Sequence, residues 1–595
     1  MLITRFQGQG ATGEYIKRAA GREAMEYNRR VSGFERFSMH LRFRPSDSRR
    51  RGFVVAGCIF CFAAILAARP LAAQTKSPAA SAARPGANAG PKARADLARF
   101  RARVQATLSD EHAQKAYWGI LIADRDTGET LYELNSNHFF TPASNTKIFT
   151  TAFAASALGP GYRFHTTLES DAALAPGGRL QGDLVLVGRG DPDLSNRKFP
   201  FAGKVEHDGP AEKILAELAD SAAAKGLKEI DGDLVADDSY FPYDPYPAGW
   251  SDGDLFFTFG APVSAIAFND NTLGLEVSAG PAAGDPAVVT VTPGVAVDGF
   301  GREIITRVPG GEPDFAVVRQ PGENFLLLRG SIPIGHAPAK LEFAMQHPAE
   351  IAGLALKQLL EARGIRVTGN VRVHHGPPPA SNEAGDPLPT PPDPAPALRG
   401  PNSFVLAEHD SPPLIETVRV TNKMSENLHA ELLLRAAGLA KLGIGSTAAG
   451  LKSERDFLKS AGIADGDVVL SDGSGLSENN LVTPRATLAL LRWVAQQPWG
   501  ADYISTFPIA GVDGTLETRL VGTPAVGRIQ AKTGTHAHVR AFSGFATTER
   551  GEHLVFSIFV NHNPQHGHDA SAAVDAIAVA MVETLGQPPP RKKKK

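Results

Sequence analysis

The 595-residue chain reads as an α/β domain assembled from both ends of the sequence and interrupted by a large β-rich α+β insertion. Three observations predict this. A helix and a pair of strands open the folded part, a β-hairpin, a strand and a helix close it, and the middle switches to short alternating strands with only two clear helices. With 43% hydrophobic residues the chain is too apolar to be disordered. At roughly 150 residues per domain it is long enough for two to four domains.

Residues 1–73 read as a leader. Arg49-Arg50-Arg51 precedes an apolar run from Gly52 to Ala68, and Pro70-Leu71-Ala72-Ala73 supplies small residues for cleavage near Ala73. Positive segment, short apolar run and small residues are the order of a secretory signal. The run is shorter than the roughly 20 residues of an ordinary membrane-spanning helix. An uncleaved anchor is the alternative, and Met39 is a second candidate start. Val55-Ala56-Gly57-Cys58 resembles a lipoprotein box, although few apolar residues precede it. Residues 74–91, rich in Ala, Pro, Gly and Ser, form a flexible linker.

The α/β domain is expected over 92–164 and 402–585. Lys92 to Leu108 is a helix with Leu97, Val104 and Leu108 as apolar points. Tyr117–Ala123 and Thr130–Leu134 are paired strands around the turn Asp124-Arg125-Asp126-Thr127-Gly128. Pro142 stands at the mouth of an apolar helix from Asn145 to about Leu158. Over 165–375 come strands at Gly182–Val187, Val288–Thr292 and Phe325–Arg329, with helices near Ala211–Ala224 and Ala349–Ala362. Both helices end alike. Lys225-Gly226-Leu227 leads to Asp231-Gly232-Asp233-Leu234, and Arg363-Gly364-Ile365 to Thr368-Gly369-Asn370-Val371. These are either two similar helix-to-strand turns or an internal repeat. Residues 376–401, with ten prolines, are a linker. Helices resume at Pro412–Val420 and Leu428–Lys441. The hairpin Val526–Lys532 and Val539–Thr547, the strand Leu554–Asn561 and the helix Ala570–Leu585 complete the domain. Residues 586–595 are a solvated basic tail.

Charge and cysteines narrow the function. Overall, 61 basic residues balance 63 acidic ones, so there is no nucleic-acid footprint. The leader alone carries 13 basic and 5 acidic side chains. Cys58 and Cys61 both lie in its apolar run, so a cleaved chain has no disulfide, thiol nucleophile or zinc–cysteine site. The body is expected outside the cytoplasm, in the periplasm, after Sec-type cleavage.

Three short motifs carry chemistry. Ser144-Asn145-Thr146-Lys147 opens the apolar helix, so the Lys147 amine, three residues on, shares a face with the Ser144 hydroxyl. A serine needs a neighbouring base, and a lysine can serve only when neutral, which burial or a second cation favours. Ser425-Glu426-Asn427 precedes another apolar helix. Its hydroxyl and amide suit proton relay and amide binding, or helix capping. Lys532-Thr533-Gly534 ends a hairpin strand, where a side-chain-free Gly534 lets a ligand lie against the edge and Lys532, Thr533 and Thr535 offer donors to a carboxylate. A second Ser-x-x-Lys, Ser195–Lys198, reads as a loop between strands with no helix to align its lysine.

In this order the motifs are those of class A β-lactamases and penicillin-binding proteins. The chain resembles the D-Ala-D-Ala carboxypeptidase/endopeptidase family, the class C low-molecular-mass penicillin-binding proteins, from about residue 92 to 585. The spacing fits: 281 residues separate Ser144 from Ser425, and 107 separate Ser425 from Lys532. Class A β-lactamases keep the first interval far shorter. Thr141-Pro142-Ala143, Gly190-Asp191-Pro192, Asp472-Gly473-Ser474-Gly475-Leu476-Ser477, Gly511-Val512-Asp513-Gly514-Thr515-Leu516 and Phe542-Ser543-Gly544-Phe545 match as well. The resemblance implies a serine β-lactamase/penicillin-binding-protein-like transpeptidase domain acting on peptidoglycan stem peptides, with β-lactam antibiotics as inhibitors and no cofactor. It implies that Ser144 attacks, Lys147 is general base, Ser425 and Lys532 pass the proton on, and Asn427 holds the acyl side. Thr533, Gly534 and Thr535 would take the terminal carboxylate, and the backbone N–H groups of Ser144 and Thr535 the oxyanion. Asp254 and Phe259 match positions that grip the stem-peptide side chain. Glu478 and Ala537 depart from that pocket, which leaves the preferred diamino acid open.

Rival classes are a β-lactamase or esterase on the same fold and a non-catalytic peptidoglycan-binding protein. His536, His538, His562, His566 and His568 lack metal-site spacing and read as solvated loop histidines. Ser474 lies in Gly-Ser-Gly, not in a nucleophile elbow.

Overall fold

The strand Tyr117–Asp124 sorts its side chains by alternation: Trp118, Ile120 and Ile122 join one buried cluster, Leu121 and Ala123 another. A strand buried on both faces needs layers on both sides, and it has them. The computed structural model describes residues 2–7, 94–201, 207, 209–295, 300–319, 325–379, 403–563 and 568–586. Tyr117–Asp124 lies in a five-stranded antiparallel sheet in the order Ile529–His536, Val539–Thr547, His553–Asn561, Tyr117–Asp124 and Thr130–Leu134. Strands from the two ends of the chain are thus neighbours, as the pattern predicts. Helices Ala95–Leu108 and His568–Thr584 supply Phe100, Val104, Val574, Ile577 and Met581 to one face. Helices Thr146–Leu158, Asn427–Leu442 and Pro484–Ala495 cover the other with Ile148, Phe149, Leu432 and Leu491.

The sequence between these halves forms its own core, joined by Leu406 and Ala407 of the strand Phe404–Asp410, which the expected boundary at 402 puts in the other domain. A five-stranded mixed sheet runs Val371–His374, Leu234–Asp237, Leu184–Val187, His165–Ser170 and Phe404–Asp410. Its parallel part resolves the two like helix endings. The helices Lys213–Ala224 and Pro348–Ala362 each close on a left-handed glycine, Gly226 and Gly364. Leu227 N–H then reaches back to Ala222 O at 3.2 Å and Ile365 N–H to Leu360 O at 3.1 Å. The strands that follow are parallel and in register, Glu229–Ile230 on Arg366–Val367 and Leu234–Asp237 on Val371–His374. A third, unforeseen copy lies upstream, with Arg179–Leu180 on Glu229–Ile230 and Leu184–Val187 on Leu234–Asp237. The Asp183 carboxylate accepts from Asp233 N–H at 2.8 Å, and the Asp233 carboxylate from Asn370 N–H at 2.8 Å. The repeat is structural, and local turn chemistry propagates it.

Two smaller sheets complete the segment. One is antiparallel, in the order Val288–Thr292, Thr272–Ser278, Ala339–Ala344. The other runs Leu2–Gln7, Asp314–Arg319, Leu326–Pro333, Phe300–Arg307. The reading of 1–73 as a leader provides for no strand in it, yet Leu2–Gln7, a short β-prone stretch, pairs antiparallel with Asp314–Arg319. The apolar run of the signal, the linker 74–91, most of the Pro-rich stretch and the tail beyond Gly586 lie outside the described residues. Among the described residues no helix is long and apolar enough to cross a membrane.

Phe559 ties the sheet to the layer that carries the motifs. It is buried, and its ring stacks on Phe140 at 5.8 Å, which stacks in turn on Tyr117 at 5.0 Å. Phe559→Ala should lower unfolding free energy by about 3–5 kcal/mol in chemical denaturation, the usual cost of emptying such a site; a loss under ~1 kcal/mol would show that the layer does not depend on it.

Candidate active site

The Ser144 turn is held from several sides before any chemistry is considered. Ala143 carries a left-handed φ of 48°, a costly conformation for a residue with a side chain. The turn Ala143–Asn145 then feeds the helix Thr146–Leu158. Thr141 N–H donates to Asn561 Oδ1 at 2.9 Å, and Asn145 Nδ2 donates to Ser543 Oγ at 2.8 Å, fastening the turn to two strands of the sheet. Gly534 and Gly475 close on it: a Cβ at Gly534 would lie 2.6 Å from Pro142 O, and one at Gly475 2.0 Å from Ala143 O. The glycine of the third motif is therefore needed for packing as well as for ligand access.

Lys147 is fully buried. Its Nζ lies 3.2 Å from Ser144 Oγ, 2.6 Å from Asn427 Oδ1 and 2.6 Å from the Ser474 carbonyl oxygen. An ammonium offers three donors; a neutral amine offers two and one lone pair. A neutral Lys147 that gave its two N–H bonds to the short contacts would turn its lone pair to the Ser144 hydroxyl. Asn427 is fixed in turn, because its Nδ2 donates to the Phe259 carbonyl at 2.7 Å. That oriented amide leaves Oδ1 facing the lysine.

The second pair forms beside the first. Lys532, also fully buried, donates from Nζ to Ser425 Oγ at 2.8 Å and to Thr533 O at 2.9 Å. Ser425 sits in the left-handed region, φ 64°, between the helices Leu414–Met424 and Asn427–Leu442. Neither Ser425 nor Asn427 caps the second helix: Glu426 holds the cap position, without a side-chain capping bond. Thr533 Oγ1 pairs with Thr515 Oγ1 at 2.7 Å. Thr515 belongs to the Gly511–Leu516 motif, whose Asp513 carboxylate pairs with Lys423 Nζ, two residues before Ser425.

Ser144, Lys147, Ser425, Asn427, Lys532 and Gly534 therefore converge, and Phe259 joins them through its backbone. Thr535 is exposed on the strand next to Gly534, opposite Arg540. Asp254 is half-buried at the start of the short turn Asp254–Phe256. Glu478 and Ala537 are exposed.

Ser195 ends the buried 3₁₀ turn Pro192–Ser195 while Lys198 is exposed, so no helix aligns that lysine with its serine. One expectation is corrected. His536 is not simply solvated: it is half-buried, and its Nε2 lies 2.9 Å from Gly475 O. His538 likewise bonds Asn563 O through Nδ1 at 2.9 Å. Side chains of His566 and His568 lie outside the described residues. Among those described, no group of three His, Asp or Glu is arranged to hold a metal.

The Ser474 carbonyl is a partner of Lys147 that motif reading passed over. A buried acidic cluster positions it. Glu431 Oε1 accepts from Gly473 N–H at 2.9 Å and Ser474 N–H at 2.8 Å, and Oε2 from Arg435 at 3.1 Å. Asp472 accepts from Gly475 N–H at 2.8 Å, Ser477 N–H at 2.8 Å and Trp250 Nε1 at 2.9 Å. Burial, with Asp472 adding to it, pushes the Glu431 carboxyl up to about 7 against the pull of Arg435. Burial pushes Glu454 well above the usual carboxylate range as well.

The chain fits one known family. The model of the D-Ala-D-Ala carboxypeptidase 3 (S13) family matches residues 100–385 and 399–581. The chain belongs to that family. It is 34% identical over 506 residues to a D-alanyl-D-alanine carboxypeptidase of Actinomadura sp. (strain R39), covering 83% of this chain and 87% of the relative. It is 30% identical over 454 residues to D-alanyl-D-alanine carboxypeptidase DacB of Haemophilus influenzae, 74% and 85% of the two chains. The crystal structure of penicillin binding protein 4 (dacB) from that organism superposes with a TM-score of 0.65 at 27% identity, covering 80% of this S13 chain and 98% of the other. The fold is thus the penicillin-binding-protein fold with a long interruption.

Glu431 gives this S13 chain a signed pH dependence. The unfolded chain ionises the carboxyl near pH 4.5 and the folded one near 7, so between those values the native state binds more protons and loses stability as pH rises. Asp193, raised by burial to about 6, acts in the same direction. Denaturation between pH 5 and 8 should show falling stability, with up to about 3 kcal/mol of the fall due to Glu431. E431Q should flatten the curve; an equally steep curve in E431Q would place the titration elsewhere.

Proposed function

We propose that this protein is a serine-type D-Ala-D-Ala carboxypeptidase, D,D-endopeptidase or both, acting on peptidoglycan stem peptides through an acyl-enzyme on Ser144. The observation that carries the reading is the buried Lys147 amine, 3.2 Å from Ser144 Oγ and held by two short contacts to Asn427 Oδ1 and Ser474 O. In this reading Lys147 takes the Ser144 proton as the hydroxyl attacks the penultimate D-Ala carbonyl. General-base action of this kind is worth roughly 10²–10⁴-fold. Ser425, held by Lys532, returns a proton to the departing amine. Asn427 orients the acyl side, and Thr533, Gly534 and Thr535 line the edge where the terminal carboxylate binds. The N–H groups of Ser144 and Thr535 serve the oxyanion, each such donor contributing about 2.7–4 kcal/mol. Asp254 and Phe259 face the stem-peptide side chain. β-Lactams acylate the same serine. The arginine-rich, then apolar, order of the leader supports export and a periplasmic location.

Two outcomes test this. Incubated with muropeptides and followed by mass spectrometry, the protein should release D-Ala from a pentapeptide or open a D-Ala–diaminopimelate crosslink. Ser144→Ala should reduce either activity at least 10³-fold and abolish labelling by fluorescent penicillin; unchanged release in that variant would overturn the assignment. Rapid turnover of the penicillin, in place of a long-lived adduct, would favour a β-lactamase.

Lys532→Ala should lower kcat and penicillin acylation together by about 10²-fold or more, because it frees Ser425 without touching Lys147. An effect on KM alone, measured by steady-state kinetics on the pentapeptide, would make Lys532 a binding residue only.

A further inference from the structure

The second Ser-x-x-Lys motif, Ser195–Lys198, plays no part in the chemistry above, yet its third residue reaches the active-site motif. Arg197 is buried, and its Nη2 lies 2.6 Å from Asp270 Oδ2 and 3.2 Å from Glu426 Oε1. Glu426 is the residue between Ser425 and Asn427. The other Asp270 oxygen, Oδ1, lies 2.9 Å from Nε2 of the fully buried His429, two residues beyond Asn427. Phe259 O holds Asn427 itself at 2.7 Å. Three residues outside the catalytic sheet and its helices thus bind 426, 427 and 429 in succession.

The holders are themselves built rigidly. Asn269, Asp270 and Asn271 are three consecutive non-glycine residues with φ near 51°, a conformation that must be stabilised by its surroundings. Asp270 N–H donates to Ser195 Oγ at 2.7 Å, which is what the serine of the motif does. Asn271 Nδ2 donates to Pro262 O at 2.8 Å. Asp193, two residues from Ser195, accepts from Thr417 at 2.7 Å on the helix that ends at Ser425. Burial raises the Asp270 carboxyl, but Arg197 and His429 outweigh it and hold it well below the usual carboxylate range.

We propose that Arg197 and Asp270 are positioning residues that clamp the Ser425–Asn427 turn through Glu426 and His429. Ser425 occupies a left-handed conformation between two helices, where a slight rotation would carry its hydroxyl from Lys532 and the Asn427 amide from Lys147. The Arg197–Asp270 unit fixes both at once. It also places substrate recognition and proton transfer on one rigid connection, because the Phe259 that contacts Asn427 lies in the same segment as Asp254. This inference rests on the peptidase reading for its kinetic readout only.

Glu426→Ala breaks the clamp at its partly exposed end (29% side-chain exposure) and leaves the buried Arg197–Asp270 pair intact, so the variant should fold. Expected are a roughly tenfold loss in kcat on the pentapeptide and in the rate of acylation by fluorescent penicillin, with KM within about twofold, since misplacement at such a distance costs up to ~10²-fold. Hydrogen exchange of the amides of 425–429 should be at least about tenfold faster than in the parent. The double variant R197M/E426A should lose no more than R197M alone, because R197M already removes the Arg197–Glu426 bond that E426A breaks. Unchanged acylation and unchanged exchange in E426A would overturn the clamp, as would fully additive losses in the double variant. A parent protein that takes up penicillin but neither releases D-Ala nor opens a crosslink defeats the peptide reading and leaves the clamp to be judged on acylation; if it does not take up penicillin either, exchange alone decides.

Discussion

The site depends on one buried amine. Lys147 Nζ has no water-exposed side, and an amine in that position is tolerated only where acceptors meet it. Asn427 Oδ1 and Ser474 O do so from two different parts of the chain, 280 and 327 residues away. Much of the surrounding architecture keeps those oxygens in place. Phe259 orients the Asn427 amide, while Glu431 and Asp472 gather the N–H groups of the Gly473–Ser477 loop so that its carbonyl turns toward the lysine. The glycines at 475 and 534 let that loop and the edge strand press against the Ser144 turn without a Cβ between them.

The long segment between the two halves of the sheet consequently helps to build the candidate site. It supplies the Phe259 carbonyl, the Trp250 N–H that meets Asp472, and the Asp244 carbonyl that meets Arg435. It has its own apolar core but shares polar contacts with the helices behind Ser425 and Lys147. A fold that could have kept its two cores apart instead joins them through hydrogen bonds.

Elements with strong periodicity were legible in the sequence. Val288–Thr292 and Val539–Thr547 lie where alternation put them, and the Ser144 helix starts one residue from its expected place. The three motifs were legible because each places a side chain with distinctive chemistry at a fixed offset. What escaped was contributed by backbone atoms or by pairing across long separations. The Ser474 carbonyl has no side-chain signature beyond the Asp472–Ser477 stretch around it. Arg197 was hidden because the motif around it looked like a weaker copy of the catalytic one, and its partners are 73 and 229 positions away in sequence. The third copy of the parallel turn was missed because no helix with a glycine end announces it.

That ladder of turns also bears on how such a chain can grow. Its successive aspartate-to-amide bonds span 50 and 137 residues of intervening sequence, yet the joint is the same each time. A Cβ on Gly232 would meet Gly182, and one on Gly369 would meet Gly232, so the joints themselves are mortised and resist substitution. The excursions between them are under no such restriction. Lineages can lengthen or trim those crossovers, adding whole sheets as the longer one has here, while the joinery beneath stays unaltered.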